Sequence, residues 1–213
     1  MGFLGFNFNL KDQLTFYGSY HSNPLNQAIH FVFVPAILWT VAVWLAYTPA
    51  FAHFNFLPLL PSGFAQYARY LVLNGSFVLL GGYALYYLFL EPFAGLSWAA
   101  FVALPMWVAA NYVQQHVLSG WGWALGLHLL SWFAQVHFGH NVAEKRKPAL
   151  LDSFFQSLVL APLFVWFELL FLLGYRPQLA SEVQAQAKAN ILAWKQGDAA
   201  TANERSLGDR KQS

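Results

Sequence analysis

Apolar residues run along this chain in long stretches broken by short polar clusters, and the lengths of those stretches predict helices that cross a bilayer. The runs cover about residues 28–50, 67–90, 93–117 and 121–138. Each approaches or exceeds the roughly 20 residues a helix needs to traverse the hydrocarbon core. Pro35 lies in the first half of the first run and predicts a kink there. Gly81-Gly82 in the second offers a close helix contact, Glu91-Pro92 ends it, and Ser119-Gly120 turns the chain between the third and fourth. Between the first two runs, residues 51–64 form an apolar loop with several breakers.

Residues 150–174 are apolar again, but Pro162 interrupts them and Glu168 sits late in the run. Pro162 either kinks a full fifth span or breaks the run into two legs that dip in and return. Lys145, Arg146, Lys147, Arg176, Lys188, Lys195, Arg205, Arg210 and Lys211 all prefer the cytoplasmic side. That shared preference favours four full spans plus a re-entrant hairpin over a fifth span. Beyond it, Leu179, Val183, Ala187, Ile191 and Trp194 recur at near-helical spacing and predict an amphipathic helix. Gly197 is expected to stop that helix, with residues 198–213 disordered. The fold class is therefore an all-α, polytopic integral membrane bundle of four spans plus a re-entrant or fifth helical segment. Residues 1–177 form the membrane domain, and 178–213 the amphipathic helix and polar tail.

Composition agrees. Only 9% of the chain is charged, against about 25% in ordinary soluble domains. A net charge of +2, dispersed along the sequence, gives no footprint for nucleic acid. Cysteine is absent, which excludes disulfides, iron–sulfur clusters, thiolate haem and Cys-type zinc sites. Any metal must be held by imidazole, carboxylate or amide oxygen. Residues 1–16 lack the basic-then-apolar order of a signal peptide, and residue 6 is Phe6, so the Met-Gly start does not complete a myristoylation motif.

Candidate chemistry concentrates where polar residues meet the first and fourth runs. Tyr17-Gly-Ser-Tyr20-His21-Ser-Asn23-Pro24-Leu-Asn26-Gln-Ala-Ile-His30 places two histidines and two asparagines at a helix start. Asn23 is a natural N-cap and Pro24 suits the first helical position, while Asn26 and His30, four apart, share a face. The turn between His21 and His30 lets them converge. Taken alone, this stretch reads equally as a metal or proton site and as hydrogen-bonded structural histidines. With four spans, His137 and His140 at the end of the fourth lie on the same membrane face as His21 and His30. His140 and Glu144, four apart, share a helical face, although Glu144 has an ordinary alternative as an ion-pair partner of Lys147 or Arg146. His53 and His116 belong to the opposite face and read as structural. His128 lies twelve residues before His140, about 18 Å along a straight helix, so the two cannot share one ion unless the helix breaks; a hydrogen bond to Trp132 is the alternative.

Together the motifs Phe16-Tyr17-Gly-Ser-Tyr20-His21-Ser-Asn23-Pro24…Asn26…His30 and Gly139-His140…Glu144-Lys-Arg-Lys-Pro148-Ala-Leu-Leu-Asp152 resemble the membrane-bound 2-hydroxy fatty acid dioxygenase family, which acts in phytosphingosine breakdown. Leu160-Ala-Pro162-Leu-Phe…Glu168 and Gly174-Tyr175-Arg-Pro177 extend the likeness, which covers most of residues 12–177. The resemblance implies a non-haem Fe(II) enzyme, of the endoplasmic reticulum membrane in eukaryotes, and the preference of the cationic residues puts its metal site towards the cytoplasm. Such an enzyme uses O₂ to cut the C1–C2 bond of a long-chain 2-hydroxy fatty acid, leaving an acid one carbon shorter. His21, His30 and His140 carry over as metal residues. His137 is taken with them, in competition with His128 and Glu144 for a fourth position. Glu144 and Asn26 stand beside the metal as catalytic candidates, Glu144 by orienting an imidazole. Imidazole suits Fe(II), a 2-hydroxy acid is a natural chelate, and the acyl chain is expected among apolar span residues, with membrane lipid around the bundle. Two other functions compete. A di-iron lipid hydroxylase typically has about eight clustered histidines, and seven on two faces argue against it. A small transporter or lipid-binding protein with a histidine proton relay is the non-enzyme reading.

Overall fold

The computed structural model describes residues 9–145 and 154–210, and these residues form helices and connecting turns, with no strand among them. Helix α1 (Leu10–Gly18) is capped by Asn9, whose side chain accepts from the Asp12 N–H. Helix α2 (Pro24–Ala46) begins as its sequence predicts: Asn23 caps it, accepting from the Leu25 N–H at 2.9 Å, and Pro24 occupies the first turn. Short 3₁₀ segments at Leu57–Leu59 and Ser62–Tyr70 lead into α3 (Gly75–Leu90). Helix α4 (Pro92–Trp98) widens into a π turn at Ala99–Ala103 and continues as α5 (Leu104–His116). Pro105 accounts for that widening, because it has no N–H for the carbonyl one turn earlier. Helix α6 (Gly120–Phe133) passes into an eleven-residue π-helical segment, Ala134–Glu144. Helices α7 (Phe154–Leu172) and α8 (Pro177–Arg210) complete the chain.

Helix α2 is the axis of the fold, packed against α3, α5, α6, the π segment and α7. Its side chains Val34, Leu38, Ala42 and Val43 are buried in a core shared with Tyr87, Trp98 and Phe167 from surrounding helices. Of the four expected spans, two are long and apolar enough to cross a membrane: Pro24–Ala46, with mean hydropathy 2.1, and Pro92–His116, with 1.6. Gly75–Leu90 is apolar but rises only about 24 Å, short of a hydrocarbon core of about 30 Å.

Two expectations are corrected. Residues 154–172 form one continuous helix rather than a re-entrant pair of legs. Pro162 leaves the Leu158 carbonyl without its helical donor, and α3 supplies one. The Tyr83 hydroxyl donates to Leu158 O at 3.3 Å, and the Tyr87 hydroxyl to Val159 O at 2.7 Å. Those phenols stitch α3 to α7 across the proline, so the run need not break. The tail helix also runs through Gly197 to Arg210, where a stop and disorder were expected. A single glycine costs only about 1 kcal/mol within a helix, and α8 begins well anchored: Val183 and Ala187 are buried, and Lys11 pairs with Glu182 at 2.6 Å. The Arg146-Lys147 cations and the 148–152 part of the motif lie outside the described residues.

Candidate metal centre

Three histidines from three different places meet in the interior. His21 lies on the link between α1 and α2, His30 two turns into α2, and His140 on the π segment. All three are buried. Their ring centroids stand 4.4 Å (His21–His30), 5.0 Å (His21–His140) and 5.0 Å (His30–His140) apart, each pair edge to face. One nitrogen from each lies within 4.8 Å of the others.

Backbone carbonyls set the tautomers of two of them. His21 Nδ1 lies 2.8 Å from Tyr17 O and His30 Nδ1 3.0 Å from Asn26 O, each four residues back. A carbonyl only accepts, so each Nδ1 carries the proton and each Nε2 keeps its lone pair. The His21 ring also stacks on Tyr17, centroids 4.0 Å apart and 7° from parallel. Burial, with His30 and His140 close by, holds His21 well below the usual imidazole range and therefore neutral.

The triad's nitrogens are the decisive observation. His21 Nε2 and His140 Nδ1 are buried and have no hydrogen-bond partner. Buried polar atoms without partners cost about 1–3 kcal/mol each, so native structures rarely keep them without a reason. A cation among them removes the cost. Three donors arranged tetrahedrally at about 2.1 Å from one ion stand about 3.4 Å apart, so the rings need to close by about 1–1.5 Å at most. The donor set fits a metal. Three imidazoles with remaining positions free are the pattern of a reactive rather than a structural site.

A carboxylate locks the arrangement from outside. Glu144, at the end of the π segment, accepts from the Ser22 hydroxyl (2.6 Å), the Asn23 N–H (2.9 Å), the Asn26 side-chain amide (3.1 Å) and the Ser22 N–H (3.2 Å). Burial alone would raise its carboxyl, but these donors outweigh it and hold it below the usual range. The anion sits at the N-terminus of α2, where the helix dipole favours it. None of these bonds goes to an imidazole. Glu144 clamps the link that carries His21 and the Asn26 whose carbonyl orients His30. Asn26 is fully buried, and Gly139 lets it be so: a Cβ at Gly139 would stand 2.5 Å from Asn26 Oδ1 and 3.4 Å from His30 Cε1.

The other histidines lie elsewhere. His137 is exposed, its ring stacked on Phe133 at 5.1 Å, on the outer side of the helix from His140. Thr40 gives its one hydroxyl proton to Ile37 O, so His128 Nδ1 donates to Thr40 Oγ1 at 2.7 Å. His128 Nε2 accepts from Trp132 Nε1 at 2.9 Å, the partner its spacing suggested. His116 bonds the Tyr70 hydroxyl at 3.0 Å, and His53 is exposed.

Beside the triad opens an apolar cavity of about 160 Å³ between α2, α3, α6 and α7. Val34, Ile37, Leu79 and Ala161 are among its apolar walls; Tyr17, Gln135 and Ser157 supply polar groups. Ser157 Oγ is buried without a partner. Nothing in the sequence marks Ser157, a polar residue in an apolar helix whose facing depends on packing.

Fold and site define a class: an all-helical protein with a buried three-histidine centre able to hold a metal at the head of an apolar cavity. The comparisons with known proteins narrow it. The family model described as 2-hydroxy-palmitic acid dioxygenase Mpo1-like matches residues 7–173. The chain is also 34% identical over 176 residues to the 2-hydroxy-palmitic acid dioxygenase MPO1 of Saccharomyces cerevisiae, covering 83% of this chain and 88% of that protein. This chain belongs to the Mpo1-like family. No solved structure matches it.

Proposed function

We propose that the protein is a membrane-embedded, Fe(II)-dependent dioxygenase that cleaves the C1–C2 bond of long-chain 2-hydroxy fatty acids, releasing an acid one carbon shorter. The observation that carries this reading is the convergence of three buried, inward-facing imidazoles on one wall of an apolar cavity. Zinc has no redox chemistry, whereas imidazole-held Fe(II) supplies what O₂ needs. His21, His30 and His140 hold the ion. Glu144 and Asn26 position them: the carboxylate fixes the α1–α2 link and Asn26, and the Asn26 carbonyl keeps the His30 proton on Nδ1. The cavity walls exclude water and take the acyl chain, with Tyr17, Gln135 and Ser157 available to the polar head. His137 takes no part in metal binding in this reading.

Residues 1–177 form the catalytic unit, and 178–213 the outer helix with its polar end. The exposed Phe89, Phe101, Trp123, Leu129 and Leu130 form an apolar exterior suited to lipid, which supports a polytopic bundle. In a eukaryotic cell that membrane would be the endoplasmic reticulum, with the triad end towards the cytoplasm. Single cysteines report this cleanly because the chain has none. Cysteines at Asp12, Lys145 and Lys195 should label with an impermeant thiol reagent from the cytoplasm, and one at Ser62 from the lumen. Labelling of Asp12 and Lys145 from opposite sides defeats the placement.

The decisive experiment is anaerobic reconstitution with Fe(II), then O₂ and 2-hydroxypalmitic acid. Stoichiometric iron and a product one carbon shorter are expected. Iron binding without product would overturn the reaction, and failure to bind iron would overturn the centre.

A further inference from the structure

A second cavity lies behind the first. It measures about 150 Å³ and is lined almost wholly by apolar side chains, including Pro35, Trp98, Val102, Met106 and Trp166. Leu38 of α2 and Pro162 of α7 line both cavities. These two residues are therefore the partition between them. Leu38 is buried, and Pro162 sits where α7 lacks a helical hydrogen bond and leans on Tyr83 instead.

Volume decides what the first cavity can hold. An apolar cavity of about 150 Å³ takes one benzene, so 160 Å³ beside the triad accepts only the first several carbons of a chain. A long-chain acid with its head at the histidines must send its remaining methylenes somewhere else. The adjoining cavity, separated from the first by the shared Leu38–Pro162 wall and nearly free of polar surface, suits an alkyl chain.

We propose that the second cavity is the distal acyl subsite and that Leu38, which with Pro162 lines both cavities, is the gate that sets chain-length preference. The inference rests on the dioxygenase reading above. Short 2-hydroxy acids fill the first cavity and reach little of the second. Longer ones pass between Leu38 and Pro162 and bury their ends against Val102 and Met106. Each methylene buried there adds to binding, so preference for long acids comes from this subsite rather than from the metal centre.

The test compares turnover of 2-hydroxypalmitic with 2-hydroxyoctanoic acid by the reconstituted full-length enzyme, with iron content measured on each variant. Val102→Trp fills the second cavity and should lower the palmitic-to-octanoic ratio of kcat/KM at least about tenfold. Leu38→Ala removes the gate and should move the ratio the opposite way, so the two variants control each other against simple misfolding. A ratio unmoved in both iron-loaded variants overturns the subsite, and the chain then leaves sideways into lipid. Wild-type protein inactive on both acids overturns the dioxygenase reading itself, a result distinct from an active enzyme with an unchanged ratio.

Discussion

Two buried polar clusters lie at opposite ends of α2, and they differ in one respect. At the far end, Asn74, Ser76 and Asn111 saturate one another. Asn74 Nδ2 donates to Asn111 Oδ1 (2.8 Å) and Ala46 O (3.1 Å), its Oδ1 accepts from Ser76 Oγ (2.7 Å), and Asn111 Nδ2 donates to Ser76 Oγ and Trp107 O. No side-chain polar atom there is left over. At the near end, His21 and His140 each keep a buried nitrogen with no partner. A closed network ties helices together and needs nothing more; an open one waits for a ligand. Polarity and burial are alike in both, so only the count of unmet atoms separates a lock from a site.

The largest expected effect tests that contrast directly. His21→Ala, His30→Ala or His140→Ala should each lower iron affinity by more than about 100-fold, beyond the range usual for partners outside the ligand set. Without metal each variant loses ring packing and, for His21 and His30, a bond to a backbone carbonyl, but removing the unsatisfied nitrogens of His21 and His140 offsets part of that cost. Asn111→Ala should behave the other way. It strands Asn74 and Ser76 and costs about 1–3 kcal/mol for each unsatisfied group, while the folded fraction still binds iron. Metal titration and thermal melts on the four variants check both halves. An Asn111→Ala protein that folds well but has lost iron would erase the distinction.

Next comes Gly139→Ala. Overpacking of this kind costs about 1–3 kcal/mol, and here the displaced atoms are Asn26 Oδ1 and then the His30 ring. Iron affinity should fall with stability, and Gly139→Ser should be no better. Gly126, with no atom within 4 Å of an added Cβ, gives the control Gly126→Ala, expected to bind iron as the parent does. Equal affinity in all three would mean that the close approach of the π segment to α2 is not what places His30.

These residues also show how far the sequence could be read. The capped start at Asn23-Pro24 was legible because capping is local chemistry, and the His128–Trp132 bond because it is a four-residue spacing. The approach of His140 to His21 and His30 came from shared motifs and a topology argument, and the structure shows the geometry. The π-helical segment was not legible. Its wider turn is set by packing, so Gly139, an ordinary glycine by sequence, gave no hint that it faces Asn26. Glu144 was expected to orient an imidazole because α-helical spacing put it near His140; in three dimensions it reaches across to α2. Pro162 read as a break because its remedy, two phenols on α3, is distant in the chain.

Glu144→Gln should give a smaller change than Gly139→Ala. The amide keeps the shape but replaces a charged acceptor of several hydrogen bonds by a neutral group whose NH₂ faces donors. Hydrogen bonds to a charged partner contribute about 1.5–3 kcal/mol against about 1 for neutral ones. Iron affinity should drop about tenfold as the α1–α2 link loosens. Glu144→Asp, which keeps the charge but shortens the reach, should recover part of it. An iron affinity identical to wild type in Glu144→Gln would reduce the carboxylate to a helix cap with no bearing on the centre.

The smallest effect is expected at His128, and it probes the contrast from the other side. His128 is a histidine within the same bundle, yet both ring nitrogens are occupied, one by Thr40 and one by Trp132. By the reasoning applied to the Asn74 cluster it is closed, and it has no lone pair to offer an ion. His128→Ala removes an acceptor from the Trp132 N–H and a donor to Thr40, whose own hydroxyl proton still goes to Ile37 O at 2.8 Å. Trp132 then loses its acceptor in a stretch whose exterior faces lipid, so the cost to stability should be about 1–3 kcal/mol, without an effect on the ion. Iron content and affinity should match wild type. Were His128→Ala to release iron, occupied ring nitrogens would no longer mark a structural histidine, and the three-histidine centre would need a fourth member.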